Sequence, residues 1–307
     1  MKWINLLIIP VVISSCSKVE FRTPEIEVKV ETIEHKVGEP VFFDIKSNAD
    51  NIVFYSGVGY GDTLNEYKYR NGRVIDVEEL KMSFNSRVLA GSQTNQLQVL
   101  VSTDFNGIYT LEEAEKATWT DITSHFDFAT NTTTVNSGEY VLNGHLEAGK
   151  PIYVCFKYNV RPRTTHLSSR DWTVSDFLIS NEGNLGKHNV VTFAQSGFAA
   201  ETAALKGNIV RPSVFNNTQI TFRGNNTSAT WDENTEVWAI SKPINTDVLV
   251  LGSDKSIPLK GYKDLRHEAF YYTYNRPGYY TVTFEAFTFN ESEKVAVTKQ
   301  MYIVVKP

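Results

Sequence analysis

The chain has 307 residues, 41% hydrophobic and 21% charged, long enough for two domains of ordinary size with real cores, which excludes wholesale disorder. Thirty-five acidic residues against 30 basic argue against nucleic acid as a partner. Two cysteines, Cys16 and Cys155, exclude a disulfide-stapled scaffold and a Cys-rich zinc module.

Residues 3–13 form an apolar run after Lys2, the length of a signal-peptide core and too short to span a bilayer. Ile13-Ser14-Ser15-Cys16 then resembles the bacterial lipobox, which implies cleavage after residue 15 and acyl chains on Cys16. Lipid would tether the mature chain to the membrane without a span. Cys16-Ser17-Lys18-Val19-Glu20 partly resembles the export signal of Bacteroidota surface lipoproteins. That likeness implies an outer-membrane protein facing the cell exterior.

Beyond residue 23, short β-rich runs recur between turn residues: 25–30, 41–45, 52–55, 97–102, 190–193, 219–222, 237–240, 270–274, 279–289 and 301–305. Thr281-Val282-Thr283-Phe284-Glu285-Ala286-Phe287 alternates polar with apolar positions, as a half-buried strand does. One helix is expected at 110–117, with Thr110 and Glu113 spaced as a capping box. The fold class is therefore all-β, built as sandwiches.

Gly57-Val58-Gly59-Tyr60-Gly61 follows a strand but opens no helix, so it reads as a turn and not as a dinucleotide site. Tyr60, Tyr67 and Tyr69 could form a platform, although cross-strand packing explains them more simply. Asp104-Phe105-Asn106-Gly107 has alternating oxygen ligands and a glycine turn. It is an Asx turn or, with Asp121, part of a structural Ca²⁺ site. Cys155 lies in a strand-like run and is expected to be a buried, inert thiol. The loop 161–171 gathers Arg161, Arg163, Arg170 and His166. It is either a solvated loop or a site for carboxylates, which arginine matches bidentately. Trp119, Trp172 and Trp238 fit core positions, whereas Trp231 sits between polar loop segments and is the candidate for an exposed ligand contact.

No His-Glu-x-x-His, Gly-x-Ser-x-Gly or Gly-x-x-x-x-Gly-Lys occurs, and the six histidines have no metal spacing. A hydrolase would need two opposed carboxylates, with Asp104, Asp121, Asp171, Asp176, Asp232 and Glu233 as the available set.

Two segments resemble halves of a polycystic-kidney-disease-type (PKD) immunoglobulin-like domain. The first is Gly38-Glu39-Pro40-Val41-Phe42-Phe43-Asp44 with Ile52–Gly57; the second is Tyr272-Thr273-Tyr274-Asn275-Arg276-Pro277-Gly278-Tyr279-Tyr280-Thr281-Val282. Pro277-Gly278 is expected to make a tight turn, glycine supplying positive φ, with the flanking tyrosines facing each other across a hairpin. Each half is too short to bury a good core. The expected organisation is a signal peptide over 1–15, a lipidated linker over 16–23, and a discontinuous domain of 24–76 with 251–307. Residues 77–250 are inserted into that domain; three serial domains are the competing arrangement. The inserted stretch, through residues 97–107, 117–123, 152–158 and 172–177, resembles a jelly-roll module of Bacteroidota surface lipoproteins. The likeness implies a non-enzymatic accessory to a SusC/SusD-type importer, binding a polysaccharide, oligosaccharide or peptide, with a glycan favoured. A structural subunit without a ligand is the alternative.

Overall fold

The computed structural model describes residues 23–61, 63–89, 91–225, 228–265, 268–289 and 293–307. The expected signal peptide and Cys16 lie outside them. The chain is nearly all β, and its contacts divide it into two units. One unit comprises the chain up to Val58, Asn65–Lys68 and Lys255–Pro307. The other comprises Gly59–Leu64 and Tyr69–Asp254.

The first unit is a sandwich. A three-stranded sheet runs in the order Ile26–Lys29, Pro40–Ser47, Ala269–Thr273. A five-stranded sheet runs Glu34–Lys36, Lys294–Lys306, Gly278–Phe289, Asn51–Tyr55, Ile257–Lys260. Alternation decides which faces meet: Val41, Phe43 and Ile45 from one sheet are fully buried, as are Phe54, Val282 and Phe284 from the other. Three phenylalanine rings knit the layers, Phe43 lying 5.6 Å from Phe54 and 5.2 Å from Phe284, and Phe54 4.9 Å from Phe284.

The Pro277-Gly278 corner differs from the expected hairpin. The strands flanking it belong to different sheets, so the chain crosses the sandwich there. Gly278 is not among the positive-φ glycines; it opens a strand, with the Tyr280 ring 3.3 Å from where its Cβ would stand. Tyr274 and Tyr280 do meet, stacked at 4.1 Å. Both hydroxyls are anchored, Tyr274 donating to the Ser56 carbonyl at 2.8 Å and Tyr280 to that of Arg276 at 2.8 Å. Gly57, in contrast, needs its glycine: φ is +78°, and a Cβ would stand 2.7 Å from the Thr281 carbonyl oxygen.

The second unit is also a sandwich. A five-stranded sheet has the order Thr120–Asp121, Leu97–Ser102, Tyr153–Val160, Thr235–Ile240, Ala203–Lys206. It faces a seven-stranded sheet centred on Glu79–Val88, Trp172–Gly183 and Gln219–Phe222. Val99, Val154, Phe156 and Tyr158 from the first sheet pack on Met82, Phe84, Val174 and Phe222 from the second. The other face of the five-stranded sheet is partly covered by the helix Leu111–Lys116 and its flanking loops, forming a smaller core around Phe105, Ala114, Tyr153, Cys155 and Trp238. The helix begins as its sequence indicates, the Thr110 side chain accepting from the Glu113 N–H. The Glu113 carboxylate, however, takes Asn106 and Lys116.

Trp172 and Trp238 are buried and Trp119 packs on the smaller core. Cys155 is fully buried there, and burial pushes its thiol well above the ordinary value. A thiol reagent should therefore leave Cys155 unmodified in the native protein and react only once guanidinium unfolds it. Rapid native labelling would contradict this packing.

Where this unit's chain begins and ends, Arg73–Asp76 pairs antiparallel with Val248–Leu251. Beside that ladder Arg73 grips Asp254 with two bonds, Nε to Oδ1 at 3.1 Å and Nη2 to Oδ2 at 2.6 Å. The side chains are 3% and 1% exposed, and the guanidinium lies 3.7 Å from the centre of the Tyr69 ring.

Candidate functional site

Strand register gathers several loops at one end of the second unit. Val160 pairs with Thr235, so the segment leaving one strand at residue 161 lies beside the segment entering the other at 234. Tyr158 pairs with Leu97, and Trp172 with both Val88 and Phe222, which brings residues 91–96 and 223–225 to the same end. Arg161, Arg163, Arg170 and Trp231 thereby become neighbours in one loop cluster.

Two buried glutamines organise it. The Gln93 side chain, 3% exposed, donates to the Arg161 carbonyl at 2.9 Å and the Leu167 carbonyl at 2.8 Å, and accepts from the Arg161 N–H at 3.1 Å. Gln96, 1% exposed, donates to the Asn159 carbonyl at 3.2 Å and accepts from the Arg170 N–H at 3.0 Å. The backbone N–H groups of Ser92 and Gln93 both donate to the Ser168 carbonyl, and the Tyr158 hydroxyl donates to that of Arg170. Burial is the main cause that pushes the Tyr158 hydroxyl upward, so it remains a donor. The arginine loop is thus held at its ends by partners on the preceding segment, while Thr164, Thr165 and Leu167 remain exposed.

The predicted ligand residues divide by what their side chains do. Arg170 donates from Nε to the Gly91 carbonyl at 3.0 Å, and Arg161 from Nη2 to the Thr94 carbonyl at 2.6 Å, so both are partly spent on structure. Arg163 donates its backbone N–H to the Trp231 carbonyl at 2.8 Å, and Thr164 donates to the same oxygen at 3.2 Å. The Arg163 guanidinium makes no hydrogen bond or ion pair with another described residue. Trp231 is half-buried, its indole N–H donating to the Glu233 carbonyl at 2.9 Å. On the same loop, Asp171 is clasped by Arg211 with two bonds of 3.2 and 2.9 Å, and its carboxylate also accepts from Gly224 N–H at 2.6 Å. Sequence reasoning did not find Gln93, Gln96, Arg211 or Asp171 as the frame of this loop; nothing local marks an amide as a tertiary clamp.

The calcium candidates lie elsewhere on the unit, Asp104 and Asn106 in one turn and Asp121 in another. Asp104 accepts from Ser102 Oγ and Thr118 N–H, both at 2.8 Å. Asn106 donates to Glu113 at 2.5 Å and accepts from Ile108 N–H at 2.9 Å. Asp121 accepts from Thr123 N–H and Gln98, both at 2.9 Å. Burial pushes the Asp104 and Asp121 carboxyls up, but these hydrogen bonds outweigh it and leave both below the ordinary range. Asp104 also lines an open cavity of about 360 Å³ with Ser102, Thr118, His145 and Glu147. Among the described residues no group of three or more His, Cys, Asp or Glu side chains converges as a metal site would require.

The tyrosines weighed as a platform in the first third of the chain are engaged internally. Tyr67 packs edge-on against Tyr55 at 5.2 Å, and Tyr69 lies beneath Arg73.

A family model described as a domain of unknown function, DUF5017, matches residues 15–198, more than half of the chain. The chain is a member of the DUF5017 family. Within this DUF5017 chain the match takes in Asp104, Asn106, Asp121 and the arginine loop, whereas Trp231 lies beyond it. No curated protein matches the chain. No solved structure matches it.

Proposed function

We propose that this chain is a non-enzymatic, outer-membrane surface lipoprotein, anchored through Cys16, that binds a nutrient glycan or its fragments beside a SusC/SusD-type importer. The observation that carries the binding reading is the junction of Arg163 and Trp231. An aromatic side chain and an uncommitted guanidinium stand on adjoining segments, which the Arg163 N–H joins through the Trp231 carbonyl, and buried amides hold the arginine loop in place. Such a site costs little to order when ligand arrives, and this favours binding. The ring offers a face to sugar C–H groups and the guanidinium a fork for a carboxylate or hydroxyls. A tether to the membrane would raise the local concentration of captured polymer without any new contact.

The non-enzymatic part of the reading is supported by the carboxyls themselves. Asp171 is occupied by Arg211 and Gly224, and Asp104 and Asp121 are held in the direction opposite to that of a general acid. Anchoring by lipid is compatible with a described chain in which no helix is long and apolar enough to cross a membrane.

A peptide importer is the second reading, favoured by the uncommitted guanidinium of Arg163. Titrating the full chain with neutral polysaccharide, uronic-acid polysaccharide and a tryptic peptide mixture separates the two. For a glycan site, Trp231→Ala should weaken binding about tenfold, near 1.4 kcal/mol, with a smaller effect of Arg163→Ala. A peptide site would reverse that order. Wild-type affinity in both variants would discard this site.

A further inference from the structure

Glycine 278 opens a strand whose outward residues lead to a surface not used above. In the first unit, Gly278–Phe289 and Lys294–Lys306 form a long antiparallel ribbon, with Tyr279 opposite Val304 and Tyr302 opposite Thr281. Tyr280 and Ile303 point into the core, so Tyr279 and Tyr302, the alternate residues, stand on the outer face. They are 85% and 68% exposed, and neither hydroxyl makes a hydrogen bond with another described residue. Diagonal neighbours on such a pair are about 7–8 Å apart, within reach of long aromatic side chains.

We propose that Tyr279 and Tyr302 form a stacking platform for a neutral polysaccharide, a second binding surface on the unit that does not carry the arginine loop. Two properties of the surroundings choose this ligand. The first is size. Two tyrosines offer roughly 150–250 Å² each, well below the ~800 Å² per partner of a stable protein interface. Their neighbours on the face are half-buried Val304, directly opposite Tyr279, and the polar residues Thr281 and Thr298, which lie exposed, with Gln300 bonded to Thr283. The second is charge. The nearest charged pair on this face, Glu34 and Lys306, is already joined at 2.6 Å. The patch therefore has ring faces and hydroxyls at its centre, with charge confined to its margin at Glu34, Lys36 and Lys306. Sugar rings present alternating C–H faces and hydroxyl edges, and the platform matches both.

The proposal takes its choice of polymer class from the glycan reading, but its residues are different, so the two can fail separately. The full chain is titrated calorimetrically with cellohexaose, maltohexaose, xylohexaose and mannohexaose, and tested for co-sedimentation with insoluble β-glucan. Tyr279→Ala/Tyr302→Ala should lower affinity for the bound glycan at least tenfold, while Tyr279→Trp keeps or tightens it. Trp231→Ala and Arg163→Ala should leave this binding in place. Both tyrosines are exposed, so the variants should keep the wild-type circular dichroism and melting temperature. The proposal is overturned if none of these glycans binds, or if the double variant binds as wild type does. A double variant that instead dissolves a dimer in sedimentation would also overturn it, assigning the patch to a second copy of the chain.

Discussion

Asp254→Ala should be among the most destabilising single substitutions in this protein, by about 3–5 kcal/mol. The reason is the burial of its partner. Arg73 is 3% exposed and carries its charge whatever the pH, so removing the carboxylate leaves a desolvated cation without the two charge-assisted bonds that Asp254 supplies. A surface pair such as Lys150 with Glu147, about half exposed on both sides, should by contrast contribute less than ~1 kcal/mol. The double replacement Arg73→Met/Asp254→Leu should recover most of the loss, because it removes the buried charges together. Urea unfolding of the single and double variants measures both numbers. A single-variant loss below ~1 kcal/mol would mean that the clasp opens to water.

The second large effect is expected at Gly91, beneath the arginine loop. Its φ of +140° is strained for any side chain, and a Cβ would stand 2.3 Å from the Ser169 carbonyl oxygen and 2.7 Å from Arg170 Cγ. The obstacle includes backbone, which cannot swing aside as a lysine tip can. Gly91→Ala should therefore cost roughly 2–4 kcal/mol, combining strain with overpacking, and should displace the loop that Gln93 and Gln96 hold. Thermal melting reads the first consequence. Amide exchange reads the second: the Arg161 and Arg170 N–H groups, which donate to the two glutamines, should lose protection more than the Phe156 region does. Unchanged protection would mean that the loop does not depend on this contact.

Much of the architecture is legible in local pattern. Thr281–Phe287 alternates and forms a strand, but Thr283 and Glu285 on its polar side are buried as well as its apolar side; Thr110 precedes the one predicted helix and caps it. Trp238 and Cys155 lie in runs that already read as strand, Trp172 lies in a segment resembling the jelly-roll module, and all three are buried. The Pro277-Gly278 corner was misread because a proline–glycine pair signals a change of direction without saying which sheet receives the next strand. There the chain crosses from one sheet to the other, and Gly278 is an extended strand residue.

The loop cluster was legible only as residue types. Arginines and a tryptophan in polar segments could be named, but their adjacency comes from Val160 pairing with Thr235. The clamps Gln93 and Gln96, the clasp of Arg73 with Asp254, and the side of the ribbon on which Tyr279 and Tyr302 both stand have the same origin. By itself, the sequence determined the secondary-structure class, many positions with a buried face and the helix Leu111–Lys116, though not the short helix Phe193–Ser196, because periodicity and capping act within a few residues. Which polar groups meet was decided only by tertiary structure, because strand register joins residues far apart in the chain and hydrogen bonds form only after that register is set.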